Sequence, residues 1–75
     1  MIEIFTMDTC PYCRRVIEFL NNRGIDFLQR DINIPENAQM LMRFGGKAQV
    51  PFLLDKDKRI SMYESDKIIE YLQKM

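Results

Sequence analysis

Both cysteines of this 75-residue chain fall in one tetrapeptide, Cys10-Pro11-Tyr12-Cys13, placed where one local structure gives way to another. Before it, Ile2-Glu3-Ile4-Phe5 is short, apolar and β-branched, which predicts a buried strand with Glu3 near an edge or end. After it, Cys13, Val16, Ile17 and Leu20 recur at helical spacing, and Phe19 widens the stripe. Asp8 and Thr9 are the cap candidates for this helix, Pro11 suits its first turn, and Gly24 suits its C-terminal cap. A strand that runs through a cysteine pair into a helix is the first half of a β-α-β unit, and few folds open that way.

The remaining chain completes the unit and extends it. Residues 25–32 alternate loosely and predict a second strand. Pro35 opens a second helix, with Met40, Leu41 and Phe44 available for packing, and Gly45–Lys47 breaks it. Residues 50–55 predict a third strand with Pro51 at its start, where a missing N–H is tolerated. Residues 56–58 turn the chain into a short fourth strand, residues 59–62, which must be antiparallel to the third. In the last helix Ser65 is the expected N-cap, Asp66 complements the dipole, and Ile68, Ile69 and Leu72 face inward. The order β-α-β-α-β-β-α predicts an α/β fold: a four-stranded mixed sheet flanked by three helices, with a right-handed parallel crossover in the first unit. No repeat or linker interrupts it, so residues 1–75 are expected to form a single domain.

Composition narrows the function. Eleven Lys and Arg balance eleven Asp and Glu, so bulk charge points neither to nucleic acid nor to a membrane surface as a partner. The N-terminus lacks a positive region followed by an apolar one, and no apolar run approaches the roughly 20 residues that span a bilayer. A cytoplasmic monomer is expected. In a reducing compartment a lone cysteine pair is redox-active or metal-binding more readily than it is a structural staple. A disulfide between positions i and i+3 closes too short a loop to add much stability. Histidine is absent, so a complete zinc site is not available to one chain, although a zinc or iron–sulfur site shared by two chains stays open.

Dithiol exchange fits the pair best. The first turn of a helix presents unpaired N–H groups and a partial positive charge, which favour a thiolate. Cys10 stands at that entry, so it is expected to be the exposed, low-pKa nucleophile. Cys13 begins the inward stripe, so it is expected to be buried, to keep a higher pKa, and to resolve a mixed disulfide by attacking Cys10.

A strand, then Cys-Pro-Tyr-Cys, then a helix, and later Val-Pro before a hairpin: this arrangement resembles the glutaredoxins, small members of the thioredoxin-fold superfamily, over essentially the whole chain. The resemblance implies a thioredoxin-like fold and a thiol-disulfide oxidoreductase that reduces protein disulfides and glutathione mixed disulfides. Glutathione is then a co-substrate and no cofactor is tightly bound; ribonucleotide reductase is a family-level protein substrate. By resemblance Cys10 is the nucleophile, Cys13 the resolving thiol and Tyr12 an aromatic of the glutathione groove. Val50-Pro51 matches the family's Thr-Val-Pro, whose proline is cis and whose valine backbone pairs with the tripeptide; Gln49 stands in the place of the threonine. Two departures stand out. Met7 and Asp8 occupy the region where the family often has a lysine. In place of Gly-Gly-Cys-Asp after the fourth strand, this chain has Tyr63-Glu64-Ser65-Asp66, which resembles the Glu-Ser motif of glutathione-transferase N-terminal domains. Glu64, Ser65 and Asp66 are therefore expected at the γ-glutamyl end of the groove, unless they serve only the helix terminus, and Lys47 at the glycine carboxylate. Two other readings stay open at this point: a thioredoxin-like donor reduced by a flavin reductase, and an iron–sulfur carrier dimer.

Overall fold

Ile2–Thr6 (β1) lies at the centre of the sheet, and every residue of it is buried. In the computed structural model, which describes residues 1–75, the strand order is β2-β1-β3-β4. Phe27–Asp31 (β2) runs parallel to β1. Phe52–Asp55 (β3) runs antiparallel to it, and Ile60–Tyr63 (β4) is antiparallel to β3. Helices Pro11–Arg23 (α1), Pro35–Gly45 (α2) and Ser65–Gln73 (α3) connect and follow the strands in the expected order.

The two faces of the sheet follow from the period of two along β1. Ile2 and Ile4 join Leu53 on one face and pack against Val16 and Leu20 of α1 and Ile68 and Leu72 of α3. Phe5 joins Phe52 and Leu54 on the other face, which Leu41 of α2 covers. The rings of Phe5 and Phe52 lie 5.6 Å apart and those of Phe52 and Tyr63 4.7 Å apart, both pairs tilted, the favoured kind of aromatic packing.

Glu3 is neither at an edge nor at an end. It sits inside the central strand, 5% exposed. Its carboxylate meets Arg30 Nε at 2.7 Å and Lys56 Nζ at 3.3 Å, and a buried charge persists when paired in this way. Arg30 also donates to Asn37 Oδ1 at 3.3 Å, and Asn37 Nδ2 donates to the Asp31 carbonyl at 2.9 Å. The polar chain therefore ties β1 and β2 to the first turn of α2. Phe44, expected to pack, is instead 43% exposed. It lies under the Lys56 ammonium, 5.7 Å from its ring centre, a contact that a helix end at the rim of the sheet allows.

Strand limits move for local reasons. Gly24 takes φ 64, its N–H reaches back to α1 carbonyls, and Ile25 N–H bonds the Leu20 carbonyl at 3.0 Å. This is a helix-ending motif, and it delays β2 to Phe27. Arg59 takes φ 56 within the hairpin turn, so β4 begins at Ile60 and gains Tyr63 at its far end.

Tyr63 holds the loop between α2 and β3. Its hydroxyl accepts from Lys47 N–H at 3.0 Å and donates to the Lys47 carbonyl at 2.9 Å. The phenol runs so close to Gly45 that a Cβ there would overlap its oxygen and crowd the Phe52 ring. Gly45→Ala should therefore lower unfolding free energy by about 1–3 kcal/mol, the usual cost of overpacking, in urea denaturation. An unchanged midpoint would show that Tyr63 yields without cost.

Candidate functional site

The cysteine pair is built into the start of α1. The residue before a proline is pushed out of helical conformation, and Cys10 is extended with φ −95 and ψ 108. Pro11 then enters the helix at its first turn. Cys10 is thus the N-cap, and its sulfur accepts the main-chain N–H of Cys13 at 3.2 Å. Asp8 and Thr9, the expected caps, lie in the turn before it. Cys10, expected to be exposed, is half-buried, because its thiol turns to the Val50 carbonyl, donating to it at 4.0 Å. Cys13 is 2% exposed. Burial, reinforced by its hydrogen bond with Cys10, pushes its thiol up to about 12. Both cysteines are free thiols.

Two depressions lie at this end of the molecule, and only the smaller is lined by the cysteines themselves. The larger is a groove of about 470 Å³. Tyr12, 63% exposed, lines it from α1. Gln49, Val50 and Pro51 line it ahead of β3, and the Val50–Pro51 bond is cis. Glu64, Ser65, Asp66 and Lys67 close it at the start of α3. The smaller cavity, about 180 Å³, contains both cysteines together with Asp8, Arg14, Glu18 and the Gln29–Thr6 side-chain pair.

The groove brings together Tyr12, Gln49, Val50, Pro51, Glu64, Ser65 and Asp66, seven of the eight residues expected to bind a ligand. Lys47 stands apart from its lining. Its main chain is fixed by Tyr63, and its ammonium lies 5.4 Å from the centre of the Tyr63 ring. Lys67 belongs to the lining although its sequence position did not mark it out; the available signal was its place two residues after Ser65, within the same first helical turn.

The corner before α3 also differs from expectation. Ser65 is not the cap. It is the first residue of the helix, 6% exposed, and Glu64 takes the cap position with φ 71 and ψ 124. A positive φ in a non-glycine residue costs on the order of 1–3 kcal/mol and clusters at ligand sites. The Glu64 side chain makes no capping bond; its carboxylate lies 3.3 Å from Lys67 Nζ. Asp66 does not face solvent alone either. Arg15 of α1 reaches it at 2.6 Å, which bridges the two helices beside the groove. No three His, Cys, Asp or Glu side chains converge as a metal site would require, and no helix is long and apolar enough to cross a membrane.

Residues 4–75 match the family model for the glutathione S-transferase N-terminal domain. A probable glutaredoxin of Synechocystis is 34% identical over 61 residues, 79% of this chain and 69% of that one. The chain belongs to the glutaredoxin family. Glutaredoxin 3 of Escherichia coli is 38% identical over 52 residues, which span 67% of this glutaredoxin but only 61% of that protein. The crystal structure of a thioredoxin-like protein superposes with a TM-score of 0.84 at 23% identity, covering 99% of this chain and 97% of that one; the fold is thioredoxin-like. The chain is thus a glutaredoxin-like thiol redox protein that carries the Cys10–Cys13 pair.

The raised Cys13 thiol has a consequence for stability. The folded state holds this proton up to about pH 12, whereas an unfolded thiol loses it near 8.5. The stabilisation is complete below the unfolded value and is lost as pH rises toward 12. Urea unfolding of the reduced protein should show stability falling more steeply from pH 9 to 11 than in Cys13→Ala. Parallel slopes would mean that Cys13 titrates as an ordinary thiol.

Proposed function

We propose that this glutaredoxin reduces disulfides with glutathione as electron donor, with Cys10 as nucleophile and Cys13 as resolving thiol. The observation that carries this reading is the groove. It runs from Tyr12 and the cis Val50–Pro51 segment to the first turn of α3, alongside a sulfur held 4.0 Å from the Val50 carbonyl.

Cys10 attacks one sulfur of a substrate disulfide, and the other sulfur leaves as a thiolate that takes up a proton. The N–H of Cys13, aimed at the Cys10 sulfur, supports the charge on the attacking atom. Cys13 gives up its proton and attacks Cys10; the Cys10–Cys13 bond forms, and the second substrate thiol departs. Two glutathione molecules then reverse the change. The first forms a mixed disulfide at Cys10, and the second releases glutathione disulfide. Burial keeps Cys13 protonated until Cys10 is engaged, so the two sulfurs act in sequence. In the mixed disulfide the glutathione cysteine pairs with the Val50 backbone as an added strand. Its γ-glutamyl carboxylate meets the N-terminus of α3 at Ser65, and its ammonium meets Glu64 or Asp66. A potential of about −200 to −230 mV follows from membership of the family.

The test is reduction of the oxidised protein by glutathione, alongside thioredoxin reductase with its nicotinamide cofactor. Fast equilibration with glutathione near that potential is expected. Indifference to glutathione with rapid turnover by the reductase would overturn the proposal in favour of a thioredoxin-like donor. Cys10→Ser should abolish all exchange. Cys13→Ser should keep reduction of glutathione mixed disulfides and slow reduction of protein disulfides at least tenfold.

A further inference from the structure

Closing the Cys10–Cys13 bond requires Cys13 to shed a proton from inside the protein. Cys13 is 2% exposed, and burial holds that proton tightly. The groove does not touch it; the smaller cavity, about 180 Å³, does. A water occupies on the order of 10–15 Å³ of such space, so a short chain of waters can span it. Three charged side chains share the lining with the two sulfurs: Asp8, Arg14 and Glu18. Arginine keeps its proton and accepts no other, which leaves the two carboxylates. Asp8 is the one built beside the sulfur. The Cys10 N–H donates to the Met7 carbonyl at 3.0 Å, which closes a turn with Asp8 and Thr9 at its corner. The Met7 N–H bonds the Cys13 sulfur and favours its thiolate. Asp8 thus follows directly on the donor that holds that sulfur. Glu18 stands more than one turn of α1 beyond Cys13, about 7.5 Å further along the axis. Asp8 is also uncommitted. Glu3, Asp57, Glu64, Asp66 and Glu70 are each held by a cation, whereas no ion pair takes up Asp8.

We infer that Asp8 accepts the Cys13 proton, through water in the smaller cavity, as Cys13 closes on Cys10. This rests on the two cysteines acting in sequence as proposed above. The Cys13 sulfur forms its bond to Cys10 while the bond from Cys10 to the substrate sulfur breaks. The electron pair of the broken bond leaves with the substrate sulfur, which takes up a proton from solvent. The Cys13 proton moves through water to Asp8 and from there to solvent. In the reverse direction, when a thiolate attacks Cys10 in the protein disulfide, the same path returns a proton to Cys13. Engagement of Cys10 prepares the transfer. The hydrogen bond and charge of Cys10 oppose ionisation of Cys13, and both are withdrawn once the Cys10 sulfur is held in a mixed disulfide.

The experiment is rapid mixing of the reduced protein with excess dipyridyl disulfide, a small chromogenic oxidant. Cys10 releases the first pyridinethione in a phase that scales with reagent. Cys13 releases the second in a phase that does not, so the second phase reads the closing step alone. From pH 5 to 8 its rate constant should change less than threefold in the parent protein, because a fixed acceptor removes the dependence on hydroxide. In Asp8→Asn the second phase should be at least tenfold slower at pH 6. It should then rise about tenfold per pH unit, the mark of a thiol that must ionise before it attacks. Asp8→Glu should restore the flat profile, and Glu18→Gln should keep it. A profile that stays flat in Asp8→Asn, is already steep in the parent, or turns steep in Glu18→Gln alone would overturn the inference while leaving dithiol exchange intact. Release of a single thione per parent molecule would instead strike at the sequential roles of the two cysteines, and the inference would fall with them.

Discussion

A main-chain N–H pointed at a sulfur organises this molecule. Helices usually begin on a serine, threonine, aspartate or asparagine whose oxygen takes up a free N–H. Helix α1 begins on Cys10, has no acidic residue in its first turn, and gives its free donor at Cys13 to the Cys10 sulfur. The chain accepts a weaker cap and in return places a reactive atom where the helix terminus acts on it. Pro11 makes the arrangement stiff, because it holds Cys10 extended and starts the helix at once. The separation of roles between the two sulfurs is a result: the cap stays half-buried, while the residue one turn later enters the core.

The scaffold brings the other parts of the site to the same place. β1 ends and β3 begins at the same end of the sheet because the two are antiparallel. The segment ahead of β3 therefore meets the segment after β1, and Val50 arrives beside Cys10. β4 returns to that end and hands over to α3 through Glu64. The central strand tolerates its acid because Arg30 of β2 and Lys56 in the turn after β3 neutralise it, which lets β1 be buried along its whole length.

Much of this was legible in the sequence. The element order, the cysteine pair, the glycine that ends α1 and the proline that opens α2 all carry local signals, and local signals survive without coordinates. What escaped was set by partners far along the chain. Glu3 looked like an edge residue because its cations lie in other elements. Phe44 looked like core because helical spacing cannot show where a sheet ends. A sulfur as cap, a left-handed Glu64 and a Ser65 shifted into the helix all arise where tertiary packing overrides local preference. In the groove, residue type was a good guide to membership but not to pairing. Nothing in the order of residues says that Arg15 belongs to Asp66, or that Lys47 turns toward Tyr63.

The contact between Tyr63 and Gly45 ties two distant positions into one choice. The phenol fills the space that a side chain at 45 would need, and its hydroxyl fixes the peptide groups of Lys47, three residues before the backbone on which a ligand strand would lie. A lineage that gains a side chain at 45 must give up the phenol at 63, and with it the restraint on that loop. Drift at the end of α2, on the face of the sheet away from α1 and α3, is thereby answerable to the redox site: a side chain at 45 is expected only where the phenol at 63 has gone.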